Sequence, residues 1–453
     1  MAGARPTRDA GTYLTYEEAS ARTVAIIDEQ LLGGGGDRAE IGEMLRRHRV
    51  RLTADPQVAG SLAGQEAILT ATLLIRRMGM ALEVAAPDAP LLASGPPFSG
   101  ESFHEALLSV ADQLLPDTAF RLGATAEVAD IEFILGSSAA AGSAYNLLRV
   151  GVTGSRAIVA AADVQLEISE AARIVALAAA GIAAAQAFRS FVAMLAEMLG
   201  IEIAKDFSFD DACELDLAEI LGVDVDSLIA PALGDIDFIS AGAITNSSQY
   251  TLFRIDARLR GRTIERKALD PPDLNRYLLA LARHLERPKV EILVEASAGE
   301  IVLEGYELLY DERTREQLQP LAKTVALGVD HVPSRWLVQS EEPELLVVGA
   351  TEGFEAYASY HRLGMACAGC LHPTAPPDEA TRTVATISFV SFFAGFFQAL
   401  LIAALANGLE PKAQVIRALP FAFAGAVVSC TPLAANRDCP VRCRASQFVG
   451  EAA

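Results

Sequence analysis

The tightest constraint on this chain is a run of 27 residues, 383–409, that reads TVATISFVSFFAGFFQALLIAALANGL and carries no charge. Roughly twenty apolar residues cross a bilayer, so length alone admits a membrane helix. The flanks argue against it: Arg382 stands on one side, Glu410 and Lys412 on the other, with no belt of Trp or Tyr and no second run read as a span. The run is therefore expected to be a buried central helix, with a membrane span as the alternative. A helix apolar on every side needs apolar partners on every side.

At 453 residues the chain exceeds what one hydrophobic core serves, so two domains or a duplicated architecture is expected. HRVRLTADP (48–56) reads as a strand, VAGSLAGQ (58–65) as a glycine-containing turn, EAILTATLLIRRMG (66–79) as a helix and ALEVAAP (81–87) as a strand. That succession is a βαβ unit and starts a parallel sheet. Strands DIEFILG, LRVGVTG and RAIVAA follow, and an alanine-rich helix over 169–199 closes this half. The acidic stretch after it reads as a connector. The pattern then restarts, with strand IDFISAG (236–242), a helix over 246–261, strand TIERKAL (263–269), a helix over 274–285 and strand VEILVEA (290–296). TVALGVD (324–330) and ELLVVGAT (344–351) are further strands. Each half runs into a long apolar helix with a Gln-Ala step, Gln186-Ala187 and Gln398-Ala399. The expected fold class is α/β, two related Rossmann-like halves with parallel or mixed sheets flanked by helices. The expected division is an N-terminal helical segment (1–47), a first half (48–205), a linker (206–230) and a second half (231–453).

Four of the six cysteines fall in two tight pairs: Cys367 and Cys370 in CAGC, and Cys439 and Cys443 in CPVRC. Loops of two to four residues let both sulfurs of a pair face one ion, and two pairs complete the tetrahedral shell of a structural zinc. The alternative is four ordinary buried cysteines; His372 is a possible substitute ligand. Cys213 and Cys430 read as structural. The first twenty residues show no apolar export segment. A cytoplasmic address is expected, where thiols stay reduced and clustered cysteines bind metal. With 37 Lys and Arg against 58 Asp and Glu, the formal charge is −21, which repels phosphate backbones and anionic lipid; neither nucleic acid nor a membrane is an expected partner.

CAGCLHP, the uncharged run and RDCPVRC together resemble the ThiF/MoeB/HesA superfamily, the ATP-dependent enzymes that activate ubiquitin-like and sulfur-carrier proteins. A second patch carries the same resemblance: ERKALDPPDLNRYLLALARHLERPKVEIL looks like the family's stretch from an acidic strand end, through S-N-L-N-R, to a lysine. The resemblance covers about residues 230–445. It implies that Glu265 bonds the adenosine ribose, that Asp273 and Asn275 occupy the nucleotide-binding motif, and that Arg276 and Lys289 meet the phosphates. It further implies that Asp330 organises Mg²⁺, and that Gly242 belongs to the phosphate loop.

The sequence departs from the family pattern at two of these places. The glycine-rich loop reads SAGAITNSS, where side chains at Ser240 and Thr245 crowd a phosphate. Asp273 stands where the family has asparagine. The function implied is an activating-enzyme-like adenylyltransferase that binds ATP and the C-terminus of a small ubiquitin-like or sulfur-carrier protein, or of a precursor peptide. The alternative is a catalytically degenerate scaffold, a pseudoenzyme that holds a protein or leader peptide for a partner enzyme. The first half carries none of these motifs and reads as the inactive partner; a homodimer is a further possibility.

Overall fold

The computed structural model describes residues 14–115, 117–170, 172–200, 212–297, 299–375, 386–420 and 427–447. The chain begins with α1 (Tyr16–Leu31) and α2 (Arg38–Arg47). The first sheet and its helices follow as β1 (Arg49–Thr53), α3 (Pro56–Ala59), α4 (Leu62–Met78), β2 (Ala81–Ala85), α5 (Phe103–Leu114), β3 (Phe120–Leu122) and β4 (Ala129–Leu135). Next come β5 (Ala144–Thr153), β6 (Arg156–Ala161), α6 (Arg173–Leu199), β7 (Cys213–Asp216) and α7 (Leu217–Leu221). The second half starts with β8 (Ala232–Ile239), α8 (Ala243–Arg254), β9 (Arg258–Ile264), α9 (Lys289–Glu295), β10 (Ile301–Tyr306), α10 (Arg315–Leu318), β11 (Thr324–Leu327) and α11 (Val332–Ser340). It ends with β12 (Leu345–Glu352), β13 (Glu355–Arg362), α12 (Ala368–Leu371), α13 (Ser388–Ala406), β14 (Val415–Leu419), β15 (Val427–Thr431) and α14 (Arg444–Gln447).

The two sheets have one plan. The first is ordered β3-β2-β1-β4-β5-β6-β7 and the second β10-β9-β8-β11-β12-β13-β14-β15. In each the first five strands are parallel and the remainder antiparallel. Strand for strand, β1 to β7 repeat as β8 to β14, and α4 and α6 correspond to α8 and α13. The related halves expected from the sequence are thus two mixed sheets of shared topology flanked by helices. In both, the chain leaves the first strand to one side and returns on the other, the arrangement that opens a crevice beyond the carboxyl ends of the strands.

The halves share one continuous apolar core, to which α4, α6, α8 and α13 all contribute. Residues Ser388 to Leu405 of α13 are all buried, among them five phenylalanines, four of whose rings pack at centroid distances of 5.4–6.3 Å. Helix α6 is also long and apolar enough to cross a membrane, which corrects the reading of 383–409 as the lone candidate. Both helices are buried in the protein instead. Helices α8 and α13 cross so closely at Gly395 that a Cβ there would collide with the Ile244 carbonyl oxygen and lie 2.6 Å from the Ser248 nitrogen. The shared Gln-Ala step has a use: Gln398 Nε2 donates to the Leu327 and Val347 carbonyls, 3.0 Å each, and Gln186 Nε2 donates to Cys213 Sγ at 3.0 Å. Each glutamine ties its buried helix to its own sheet.

Four sequence assignments are corrected. The helix read over 246–261 ends at Arg254, and its last residues open β9. The helix read over 274–285 is replaced by short 3-10 turns at Pro271–Asp273 and Ala282–His284. The strand read over 290–296 is α9, started by Pro288, with Val290, Ile292 and Leu293 inward. Part of the stretch read as a connector, from Cys213 on, forms β7 on the edge of the first sheet. Residues 206–211 of that stretch, the five residues before it, and 376–385 after the first cysteine pair lie outside the described residues. Cys430 lies in β15, and its thiol donates to the Ile220 carbonyl of α7.

Candidate functional site

Cys367 precedes α12 and Cys370 lies within it, while Cys439 and Cys443 come from the chain after β15. Sulfur separations are 3.4 Å for Cys367–Cys439, 3.5 Å for Cys370–Cys443 and 3.9 Å for Cys367–Cys370, and all four sulfurs lie within 4.8 Å of one another. Zinc–sulfur bonds of about 2.3 Å in a tetrahedron put sulfurs roughly 3.8 Å apart, so this donor set fits a closed zinc site with four cysteine ligands. Burial pushes the Cys367 and Cys370 thiols up, so a bound cation is what would hold these two as thiolates, whereas at Cys443 burial is outweighed by hydrogen bonds from Ser446 and the neighbouring thiols, which bring it down to about 7. The amide of Asn436 donates to Cys370 Sγ at 3.4 Å. Gly369 lets the pairs close: a Cβ there would meet Cys439 Sγ at 3.1 Å and Val441 Cγ2 at 2.8 Å. His372 is not among the converging ligands. Burial holds it neutral, with its pKa down at about 4, and its Nε2 faces Arg335 Nη1 at 3.0 Å.

Helix α11 joins this centre to the end of β11. Arg335 donates to the Val329 carbonyl from Nε at 3.1 Å and Nη2 at 2.9 Å. Trp336 Nε1 donates to the His372 carbonyl at 2.8 Å, and Gln339 Oε1 accepts the Ala368 amide at 3.1 Å. Metal loop and Asp330 loop therefore share one brace.

Gly242, Glu265 and Asp330 follow β8, β9 and β11, three neighbouring parallel strands, and so share the carboxyl-end crevice. Glu265 is partly exposed and accepts the Lys267 amide at 3.1 Å. Asp330 is exposed and interacts electrostatically with Arg276 and Arg335. Ser240, in the place of a family glycine, keeps a glycine-like backbone at φ 118°. Its Oγ accepts the Gly242 amide at 2.9 Å, and Thr245 is buried against Gly328.

Beside this loop the cations gather on one carboxylate. Asp273 is 2 % exposed, and Lys289 Nζ lies 2.8 Å, Arg276 Nη2 3.1 Å and Arg22 Nη2 3.3 Å from its oxygens. Burial raises the Asp273 pKa, but Arg276, Lys289 and Arg22 outweigh it and hold the group below the usual carboxylate range. Lys289 also donates to the Tyr277 hydroxyl at 3.0 Å. A Cβ on Gly242 would lie 3.8 Å from that hydroxyl, so the cluster adjoins the loop. Asn275 is turned inward. Its Nδ2 donates to Thr386 O at 3.0 Å and Thr23 Oγ1 at 3.3 Å, and its Oδ1 accepts from Arg276. The structure thus brings Gly242, Asp273, Arg276, Lys289 and Asp330 together, leaves Glu265 at the rim, and makes Asn275 a pin.

Arg22 and Tyr277 were not singled out from the sequence. Tyr277 stands directly after Arg276 inside the quoted stretch, whereas Arg22 lies some 250 residues away on α1 and no spacing marks it. At the matching strand ends of the first half stand Pro56, Ala86 and Ser138, and the Asp55 amide donates to Ser138 Oγ at 2.8 Å across the opening.

No protein-family model matches the chain, and no curated protein matches it. Solved structures that match include E. coli MccB with MccA-N7isoASN, 14 % identical over 66 % of this chain and 97 % of that one, with a TM-score of 0.41. E. coli MccB with ATP matches over 65 % and 97 %, at 14 % identity and a TM-score of 0.40. The microcin C7 biosynthetic enzyme MccB with N-formylated MccA matches over 66 % and 97 %, again at 14 % and 0.40.

Proposed function

We propose that the chain is an activating-enzyme-like protein that binds ATP with Mg²⁺ at the carboxyl ends of β8, β9 and β11 and adenylates the C-terminal carboxylate of a peptide or small ubiquitin-like partner. One observation carries this reading: Arg276 and Lys289 are held together at the switch point of the second sheet, next to the Gly242 loop and in electrostatic reach of Asp330. The carboxylate attacks the α-phosphorus and the bond to the bridging oxygen breaks, giving an acyl-adenylate and pyrophosphate. The nucleophile is already ionised and needs no base. Arg22, Arg276 and Lys289 neutralise the polyphosphate, Asp330 organises the metal and Glu265 accepts from the ribose. Cys367, Cys370, Cys439 and Cys443 would hold a zinc ion whose role is structural, tying the C-terminal segment to the loop that α11 braces. A cytoplasmic setting suits its thiolates.

A second reading, a scaffold without turnover, is favoured by Asp273, which neutralises part of the charge a triphosphate needs, and by the crowding at Ser240 and Thr245. Exchange of labelled pyrophosphate into ATP, with candidate peptides supplied, separates the two. The enzyme reading requires exchange that Asp330→Ala abolishes. Peptide binding with neither exchange nor ATP uptake establishes the scaffold.

A further inference from the structure

The last turn of α4 carries Arg76 and Arg77, and Arg77 is fully buried. Its guanidinium crosses into the second half. Nη1 donates to the Leu274 carbonyl at 2.6 Å, and Nη2 donates to those of Leu278 and Ala280 at 3.1 and 2.7 Å. These carbonyls bracket Arg276 and Tyr277. In a continuous helix, those of Leu274 and Leu278 would accept amides from the following turn. Arg77 supplies donors in their place and lets the chain turn in short loops.

The corresponding helix repeats the device in reverse. Arg254 ends α8, is also fully buried, and donates to the carbonyls of Ala93, Ser94, Gly95 and Pro96 in the first half, at 2.9–3.2 Å. Segment 93–96 follows β2 as 274–280 follows β9, so each half clamps the same loop of the other. The two clamps differ in what they hold. Arg254 grips a loop without site residues, whereas Arg77 grips the one that presents Arg276 and Tyr277 to Asp273 and Lys289.

We infer that Arg77 is a positioning residue for the second-half site: the first half, itself lacking the site's residues, sets the loop on which Arg276 and Tyr277 stand. The inference rests on the reading of that site as a nucleotide site, and the pair of arginines supplies its own control. Arg254 also faces the buried Glu66 carboxylate at 3.6 Å, so Arg254→Met costs the fold at least a comparable interaction; a purely structural role lowers stability in both methionine variants and leaves the Mg-ATP affinity of the folded protein unchanged in both. A positioning role separates them.

The experiment uses the full chain with Arg77→Met, Arg77→Lys and Arg254→Met, and measures Mg-ATP binding by calorimetry and backbone amide exchange by mass spectrometry. Expected for Arg77→Met is at least about a tenfold loss of affinity, with faster exchange at the Leu274, Arg276, Tyr277 and Ala280 amides. Arg77→Lys, which keeps the charge and reaches fewer carbonyls, gives an intermediate loss and covers the case where the methionine variant does not fold. Arg254→Met lowers the melting temperature but leaves ATP affinity within about twofold and the 274–280 exchange unchanged. Equal ATP affinity in the two methionine variants, or unaltered 274–280 exchange in both Arg77 variants, overturns the inference. Should the wild-type chain take up no ATP, the nucleotide reading fails, while the exchange comparison still decides the clamp.

Discussion

Lys289 Nζ lies 2.8 Å from Asp273 Oδ2, both groups all but excluded from water, so the cation best placed to meet a phosphate already has a carboxylate against it. Arg276 and Arg22 share that carboxylate. An incoming triphosphate therefore competes with Asp273 or endures its repulsion. Asp273→Asn keeps the shape and removes the charge. The expected outcome is tighter Mg-ATP binding, by about tenfold, together with a lower melting temperature in the absence of nucleotide, because buried cations are left underpaired. Calorimetric titration of the two proteins checks this; equal or weaker ATP binding by the asparagine variant would remove Asp273 as a competitor.

His48 gives the fold a pH dependence of its own. It is fully buried beside Phe191, with Nδ1 3.5 Å from Asp130, and burial holds its pKa down at about 4 despite that carboxylate. The unfolded chain protonates its histidine near 6.5, so between there and about 4 the unfolded state binds the extra proton. Stability therefore falls as pH drops through this window and the loss levels off below it. From about pH 7 to about pH 5 the contribution is on the order of 2 kcal/mol. Denaturant midpoints of the wild-type and His48→Gln proteins at the two pH values test this, and parallel pH dependences would refute it.

Much of the architecture was legible because its signals are local. The βαβ succession from HRVRLTADP, the apolar runs of α6 and α13, and the tight spacing of CAGC and CPVRC each need a short window of sequence. What was illegible depends on distant partners. LNRYLLALARHL has a helical pattern, yet Arg77, some 200 residues earlier, takes up the carbonyls of Leu274 and Leu278. VEILVEA reads as a strand by β-branched content, although Glu291 and Glu295 are spaced for the outer face of α9. Arg22 enters the candidate site from α1, and Asp273, expected as part of the nucleotide motif, is a buried counter-ion in this structure.

The four cysteines predict one zinc per chain. Cobalt exchanged into the site is expected to show the charge-transfer and tetrahedral d–d absorption of a cobalt tetrathiolate centre. Cys439→Ser or a strong chelator destabilises the protein, by about 4 kcal/mol when free metal stands roughly a thousandfold above its dissociation constant. Because Arg335, Trp336 and Gln339 brace the metal loop to the chain after β11, amide exchange over 328–336 rises when the metal is removed. A purified chain with no bound metal and unchanged stability in chelator would rule the site out.

Gly395 supplies the last test, because it joins packing to the candidate site. At this crossing the neighbours of a new Cβ include backbone atoms of α8, the Ile244 oxygen and the Ser248 nitrogen, which cannot rotate away as a side chain end can. Gly395→Ala therefore has to push α8 from α13, at a cost of about 1–3 kcal/mol. Helix α8 begins at the Gly242 loop, so the same displacement moves that loop relative to Tyr277 and the Gly328 carbonyl, which a Cβ on Gly242 would approach to 3.8 and 3.9 Å. The expected result is a lower denaturant midpoint accompanied by weaker Mg-ATP binding at temperatures where the variant is fully folded. An alanine variant as stable as the wild type would mean that the helices part without resistance, and the close crossing would lose its role in setting the site.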